Sequence, residues 1–242
     1  MTVTSHYAVN GDARLHYLDS GGDDRGAPII FVPGMTDIAE DYEEALPLFG
    51  RRVVIVELRG HGRSSAPRTG YDAITLGRDV GAVVDAVTDG PVHLMSFSRG
   101  TSYAVTWAIA HPDRVLSIAI GDYVPEERVV TGTEARNLVD GRWRGSPVHE
   151  RLDVDAAMRT FDQAQERSMW EPLSRMGLPL LAVRGGNSPL VTDADWERYR
   201  QLFPGAQLVT FDESPHDIFR PDRGRYPRLV QSQVDRITTP TH

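Results

Sequence analysis

The stretch from Val92 to Ala110 decides the fold. An apolar run, Val92–Met95, ends in Ser96-Phe97-Ser98-Arg99-Gly100, and a helical pattern follows at once from Thr101 through Ala110. Such a short apolar run reads as a buried strand. A strand that turns into a helix this sharply needs small residues on both sides of the turning one, because the backbone there is strained. Ser96 and Gly100 meet that need, and Ser98 stands between them. Alone, a small-x-Ser-x-Gly pentapeptide also fits a Ser-Gly turn capping a helix. Its place between a strand and a helix favours the tighter turn.

Outward from this stretch the pattern repeats. Ile29–Val32, Val53–Val56, Leu116–Ile120, Leu180–Val183 and Leu208–Phe211 are further Val/Ile-rich runs, and Ala39–Phe49, Ile74–Val87, Asp193–Leu202 and Arg225–Arg236 carry apolar residues at helical spacing. Strand and helix alternate, the signature of an α/β fold. Tyr7–Val9 and Arg14–Leu18 flank Asn10-Gly11-Asp12, which suits a hairpin turn, so the sheet opens with an antiparallel pair. The alternation breaks between Asp122 and Leu178, where about fifty residues replace a single crossover. That segment holds Pro125, Gly132, Gly141, Gly145, Pro147 and Pro172, with a helix expected from Val154 to about Arg167. The expected architecture is a mostly parallel eight-stranded sheet with helices on both faces. Its core is one discontinuous domain, 1–122 and 178–242, and 123–177 is a small helical cap insertion.

Composition excludes several functions. Lys+Arg 26 against Asp+Glu 34 gives a net charge of −8, which repels polyanions, so nucleic acid is no partner. No apolar run is long enough for a bilayer, and Met1 to Asn10 lacks the regions of a signal peptide; the expectation is a cytoplasmic protein with no membrane partner. With no cysteine, thiolate catalysis and Cys-ligated metal sites drop out. No H-E-x-x-H, calcium-type loop or G-x-G-x-x-G occurs, so neither metal nor cofactor is expected.

The Ser96–Gly100 pentapeptide resembles the nucleophile elbow of the α/β-hydrolase superfamily, with Ser96 in place of the first glycine. Three further stretches extend the resemblance over nearly the whole chain. Pro33-Gly34-Met35 stands where the family has its His-Gly-x turn after the third strand. Glu57-Leu58-Arg59-Gly60-His61-Gly62-Arg63-Ser64 looks like the family's D-x-R-G-x-G-x-S turn, a structural element, so His61 reads as scaffold. Asp212-Glu213-Ser214-Pro215-His216 occupies the place of the catalytic histidine. The resemblance implies Ser98 as nucleophile, His216 as general base, and the N–H groups of Met35 and Arg99 as the oxyanion hole. His6 and His242 are terminal, His16 and His93 lie in strand patterns, His111 ends a helix, and His149 falls in the cap within reach of substrate.

The acid is the open position. Counting back from His216 by the family's usual distance lands on Ser188, where no carboxylate stands. Asp193 and Asp195 follow Thr192 in what looks like a helix N-terminus. Some branches of the superfamily place the acid after the sixth strand, about two dozen residues beyond the nucleophile; there stands Asp122, to which the resemblance gives the role of orienting His216 and stabilising its imidazolium. With a serine nucleophile the resemblance implies acyl transfer on a small-molecule ester, thioester, lactone or C–C bond. Tyr123, Trp143 and Trp170 are the expected substrate-binding residues. Arg99 and the cap arginines make an anionic substrate a lead, although most of the latter read as a solvated surface. Two other classes stay open: a cofactor-free lyase or cyclase in which Ser98 and His216 do proton chemistry, and a ligand-binding protein that retains the triad. The sequence leaves the oligomeric state undetermined.

Overall fold

A computed structural model describes residues 3–22 and 26–238. Met1 and His242, named above, lie outside the described residues. Eight strands form one sheet: β1 (Thr4–Asn10), β2 (Ala13–Asp19), β3 (Ile29–Val32), β4 (Val53–Val56), β5 (Val92–Phe97), β6 (Val115–Gly121), β7 (Leu180–Gly185) and β8 (Gln207–Phe211). Their spatial order is β1-β2-β4-β3-β5-β6-β7-β8. The hairpin β1–β2 and the pairing of β2 with β4 are antiparallel, and every other pairing in this sheet is parallel. All six apolar runs are strands of this sheet. Gly11 takes a φ of 60° in the hairpin turn, a backbone conformation that costs glycine little.

The helices are α1 (Ala73–Val87), α2 (Gly100–Ala110), α3 (Gly132–Val139), α4 (Val154–Asp162), α5 (Trp170–Ser174), α6 (Asp193–Leu202) and α7 (Arg225–Thr238). Alternation along each strand divides the core between two faces. Ile30 and Val32 of β3 face the layer that contains Leu76 and Val80 of α1 and Tyr103 of α2. Ile29 and Phe31 face Tyr42, Phe49 and Val230 of α7. Residues Ala39–Phe49, expected as an ordinary helix, form successive 3-10 turns that include Pro47; proline lacks the N–H an α-helical ladder needs. Among the described residues no helix is long and apolar enough to cross a membrane.

The segment between β6 and β7 has its own small apolar cluster, in which Ala135, Val139, Val148, Leu152, Ala157 and Phe161 meet Met35 below them. The helix expected to reach Arg167 stops at Asp162. Beyond it the chain straightens, and Arg167 and Ser168 pair antiparallel with Glu127 and Glu126. Met169, Trp170 and Leu173 pack instead into the main core with Tyr199 and Phe203.

Candidate active site

The sharp turn after β5 is built as its residues require. Ser98 has a φ of 52°, an uncommon conformation for a residue with a side chain. Its N–H donates to the Gly121 carbonyl at 2.8 Å. A Cβ on Gly100 would lie 2.1 Å from the Pro33 carbonyl oxygen, so only glycine lets α2 start this close to the end of β3. Ser96, buried, fits in place of glycine because its hydroxyl is within hydrogen-bond distance of both Thr101 Oγ1 (3.0 Å) and the Ala119 carbonyl (3.2 Å).

Three residues far apart in sequence meet at this turn. Ser98 Oγ lies 2.9 Å from His216 Nε2, and His216 Nδ1 donates to Asp122 Oδ2 at 2.6 Å. Asp122 follows β6 with a φ of 46° and is fully buried. Its carboxylate also accepts the Gly185 N–H at 2.7 Å and the Ser188 hydroxyl. Ser188, the position to which the count back from His216 leads, thus stands beside the carboxylate that β6 supplies. The loop carrying His216 rests on the end of β7, where a Cβ on Gly185 would come within 2.4 Å of the Pro215 carbonyl oxygen. Phe97 stacks on the His216 ring at 5.0 Å between centroids, and Trp143 stands 6.0 Å away. Trp143 was expected near substrate, but nothing in the sequence placed it or Phe97 beside the imidazole.

Asp193 and Asp195 lie in the first turn of α6, where Thr192 and Asp195 cap the helix reciprocally. Neither is among the hydrogen-bond partners of His216. His149 is exposed and does not line the cavity described below. His61 is buried, and its Nε2 donates to the Met35 carbonyl at 2.7 Å, which makes it a brace of the loop after β3. Glu57 holds the same region together: it accepts from Ala39 N–H, Arg63 N–H and His16 Nδ1. Burial pushes its carboxyl up, but these hydrogen bonds outweigh burial and hold it below its ordinary value.

A cavity of about 410 Å³ opens over Ser98 and His216, with Met35, Arg99, Tyr123, Trp143, Phe161 and Leu190 in its wall. The N–H groups of Met35 and Arg99 have no acceptor among the described residues. Tyr123 and Trp143 line this cavity. Trp170 does not: it is fully buried, its ring packs edge-on against Tyr199, and its Nε1–H donates to Glu126 at 2.6 Å. A large aromatic side chain with one donor was equally suited to the core.

Two arginines of the 123–177 insertion expected as solvated have buried side chains instead. The Arg144 guanidinium bonds Asp217 at 2.8 Å and lies 3.8 Å from Asp37, and Arg151 pairs with Asp41. Asp37 also accepts from Trp143 Nε1–H at 2.7 Å and from Gly34 N–H at 2.9 Å. Burial pushes the Asp37 carboxyl up, opposed by Arg144 and Trp143. Arg144 is driven the other way: burial lowers its pKa, and Tyr42, Asp37 and Asp217 more than offset that. Among the described residues no group of three or more His, Asp or Glu is placed to hold a metal ion.

A family model for the alpha/beta hydrolase fold matches residues 27–136. The chain is 34% identical over 141 residues to a non-heme chloroperoxidase of Streptomyces lividans, covering 57% of this chain and about half, 49%, of that protein. It is 26% identical over 229 residues to the 2-(acetamidomethylene)succinate hydrolase of Mesorhizobium japonicum, covering 80% of this chain and 82% of that one. The crystal structure of the enol-lactonase from Burkholderia xenovorans LB400 matches with a TM-score of 0.79 at 20% identity, over 97% of this chain and all of that one, a likeness of fold.

Proposed function

We propose that the chain, whose residues 27–136 match the alpha/beta hydrolase fold model, is a serine hydrolase of that superfamily that cleaves a small carbonyl substrate through an acyl-enzyme on Ser98. The observation that carries this reading is the unbroken hydrogen-bond chain from Ser98 through His216 to Asp122. His216 Nε2 takes the Ser98 proton as Oγ bonds to the carbonyl carbon, and the N–H groups of Met35 and Arg99 receive the oxyanion. The oxyanion collapses, the bond to the leaving group breaks, and His216 returns the proton to that group. Water, deprotonated by His216, then attacks the acyl-enzyme, and its collapse frees the acid and restores Ser98. Asp122 holds His216 in the tautomer that accepts at Nε2 and stabilises its imidazolium. Residues 123–177 serve as the cap of this site, with Tyr123 and Trp143 against the substrate. Ester, thioester, lactone and C–C substrates all fit this scheme.

Intact mass after incubation with a small fluorophosphonate tests it. One adduct is expected on the wild type and none on Ser98→Ala, whose turnover falls by several powers of ten. Folded wild-type protein that takes no adduct overturns the reading.

A further inference from the structure

The chain buries arginine in several places, and one of them stands apart. Arg59 is 2% exposed and bonds Asp79 at 2.6 Å; Arg151 pairs with Asp41 and Arg144 with Asp217. Arg99 is 4% exposed and has no carboxylate within ion-pairing distance among the described residues. Its Nε donates to Tyr103 Oη at 3.1 Å and its Nη1 to the Arg128 carbonyl at 2.9 Å, both neutral acceptors. Nη2 is buried with no acceptor at all among the described residues. Phe161 offers only its ring, 5.2 Å from the guanidinium carbon. The nearby acid Glu127 is engaged by Arg167 at 3.2 Å. A full positive charge withdrawn from water and left without an anion is among the costliest arrangements a protein can hold. This one lies in the wall of the cavity over Ser98.

We infer that Arg99 is the anchor for a carboxylate carried by the substrate, so that the site takes small acyl compounds with a free carboxylate apart from the reacting carbonyl. The inference rests on the reading of Ser98 as the nucleophile of this cavity. A carboxylate entering the cavity supplies the missing acceptor and the missing charge together. The rest of the wall is largely apolar, with Met35, Phe161 and Leu190, and suits the short chain between the two polar groups; Asp37, already engaged by Trp143 and Gly34, and the exposed Arg142 also line it. The backbone N–H of the same residue is the proposed oxyanion donor. One residue thereby fixes both ends of the substrate, and the separation of its guanidinium from its own N–H selects the chain length.

The test uses binding, which needs no turnover. Ser98→Ala protein is titrated calorimetrically with the monomethyl esters of succinate, glutarate and adipate, and with the uncharged methyl esters of matching length. At least one half-ester is expected to bind ten to a hundred times more tightly than its neutral counterpart, the range of a charge-assisted hydrogen bond. In Ser98→Ala/Arg99→Met that preference disappears, and in Ser98→Ala/Arg99→Lys part of it remains. Equal binding of charged and neutral esters to Ser98→Ala overturns the inference, whether or not the Arg99 variants fold. So does a preference that survives Arg99→Met. Failure of the hydrolase reading appears separately, as absence of the fluorophosphonate adduct.

Discussion

Asp122 and Ser188 share one hydrogen bond beside the imidazole of His216. A carboxylate at position 188 and one at position 122 would reach the same nitrogen of His216 from neighbouring strand ends. Here β6 provides the carboxylate and the loop after β7 provides only a hydroxyl that donates to it. Asn in place of Asp122 offers a single acceptor atom and an NH2 group that cannot accept from Nδ1. The expected loss in turnover is about three to four powers of ten, with slower fluorophosphonate labelling. Asp193, whose side chain is 96% exposed and pairs only with Arg184 among the described residues, makes the control: Asp193→Asn should stay within a few-fold of wild type. The reverse ranking in a kcat comparison would remove Asp122 from the site. The sequence narrowed the acid to these candidates, because spacing along parallel strands locates strand ends well. It was silent about Phe97 and Trp143 at the imidazole, since nothing in a local pattern says which ring a distant histidine will meet.

Between the elements, what holds the insertion to the sheet is a set of ion pairs that no periodicity announces. The strands were legible because each is a short β-branched run bounded by glycine or polar residues. The insertion was legible only as an interruption, its arginines indistinguishable from surface ones. Its anchor, Arg144, reaches Asp217 beside His216 from 73 residues away in the chain, and Asp37 links the same cluster to Gly34 of the loop after β3. Arg144→Met leaves Asp37 and Asp217 buried without that cation, and removal of one partner from a buried pair costs about 3 kcal/mol or more. Denaturant unfolding should show that loss, and amide exchange should quicken over residues 132–162 while β5 stays protected. Unchanged exchange there would mean that the apolar cluster around Phe161, not the arginine, fastens the insertion. Trp170 teaches the complementary lesson: proximity in sequence to cap residues does not make a residue part of the cap, because α5 already packs against α6 in the main core.

At the scale of the whole molecule, acid should find its weak point in the middle of the sheet. His93 of β5 is 1% exposed, with Nδ1 on Ser117 Oγ at 2.8 Å and Nε2 without a partner among the described residues. Burial, with a smaller contribution from Arg51, lowers its pKa from 6.5 to about 4. The unfolded chain therefore binds this proton more readily than the folded one. Stability from this residue is complete above pH 6.5 and is lost as the pH falls toward 4, by about 3 kcal/mol in all. His93→Gln should flatten that part of the denaturation profile; a variant as acid-sensitive as the wild type would assign the loss to other groups. The net charge of −8 sets solubility and the field around the protein and says nothing of this buried proton. One consequence of the fold reaches beyond the finished molecule. The serine and the histidine that touch at 2.9 Å are separated by 118 residues of chain, and the histidine follows an edge strand that pairs with β7 alone. During synthesis the serine emerges from the ribosome well before its proton acceptor exists. On the proposed mechanism a nascent chain can fold the turn after β5 and still be chemically silent, becoming reactive only when β8 has emerged and docked.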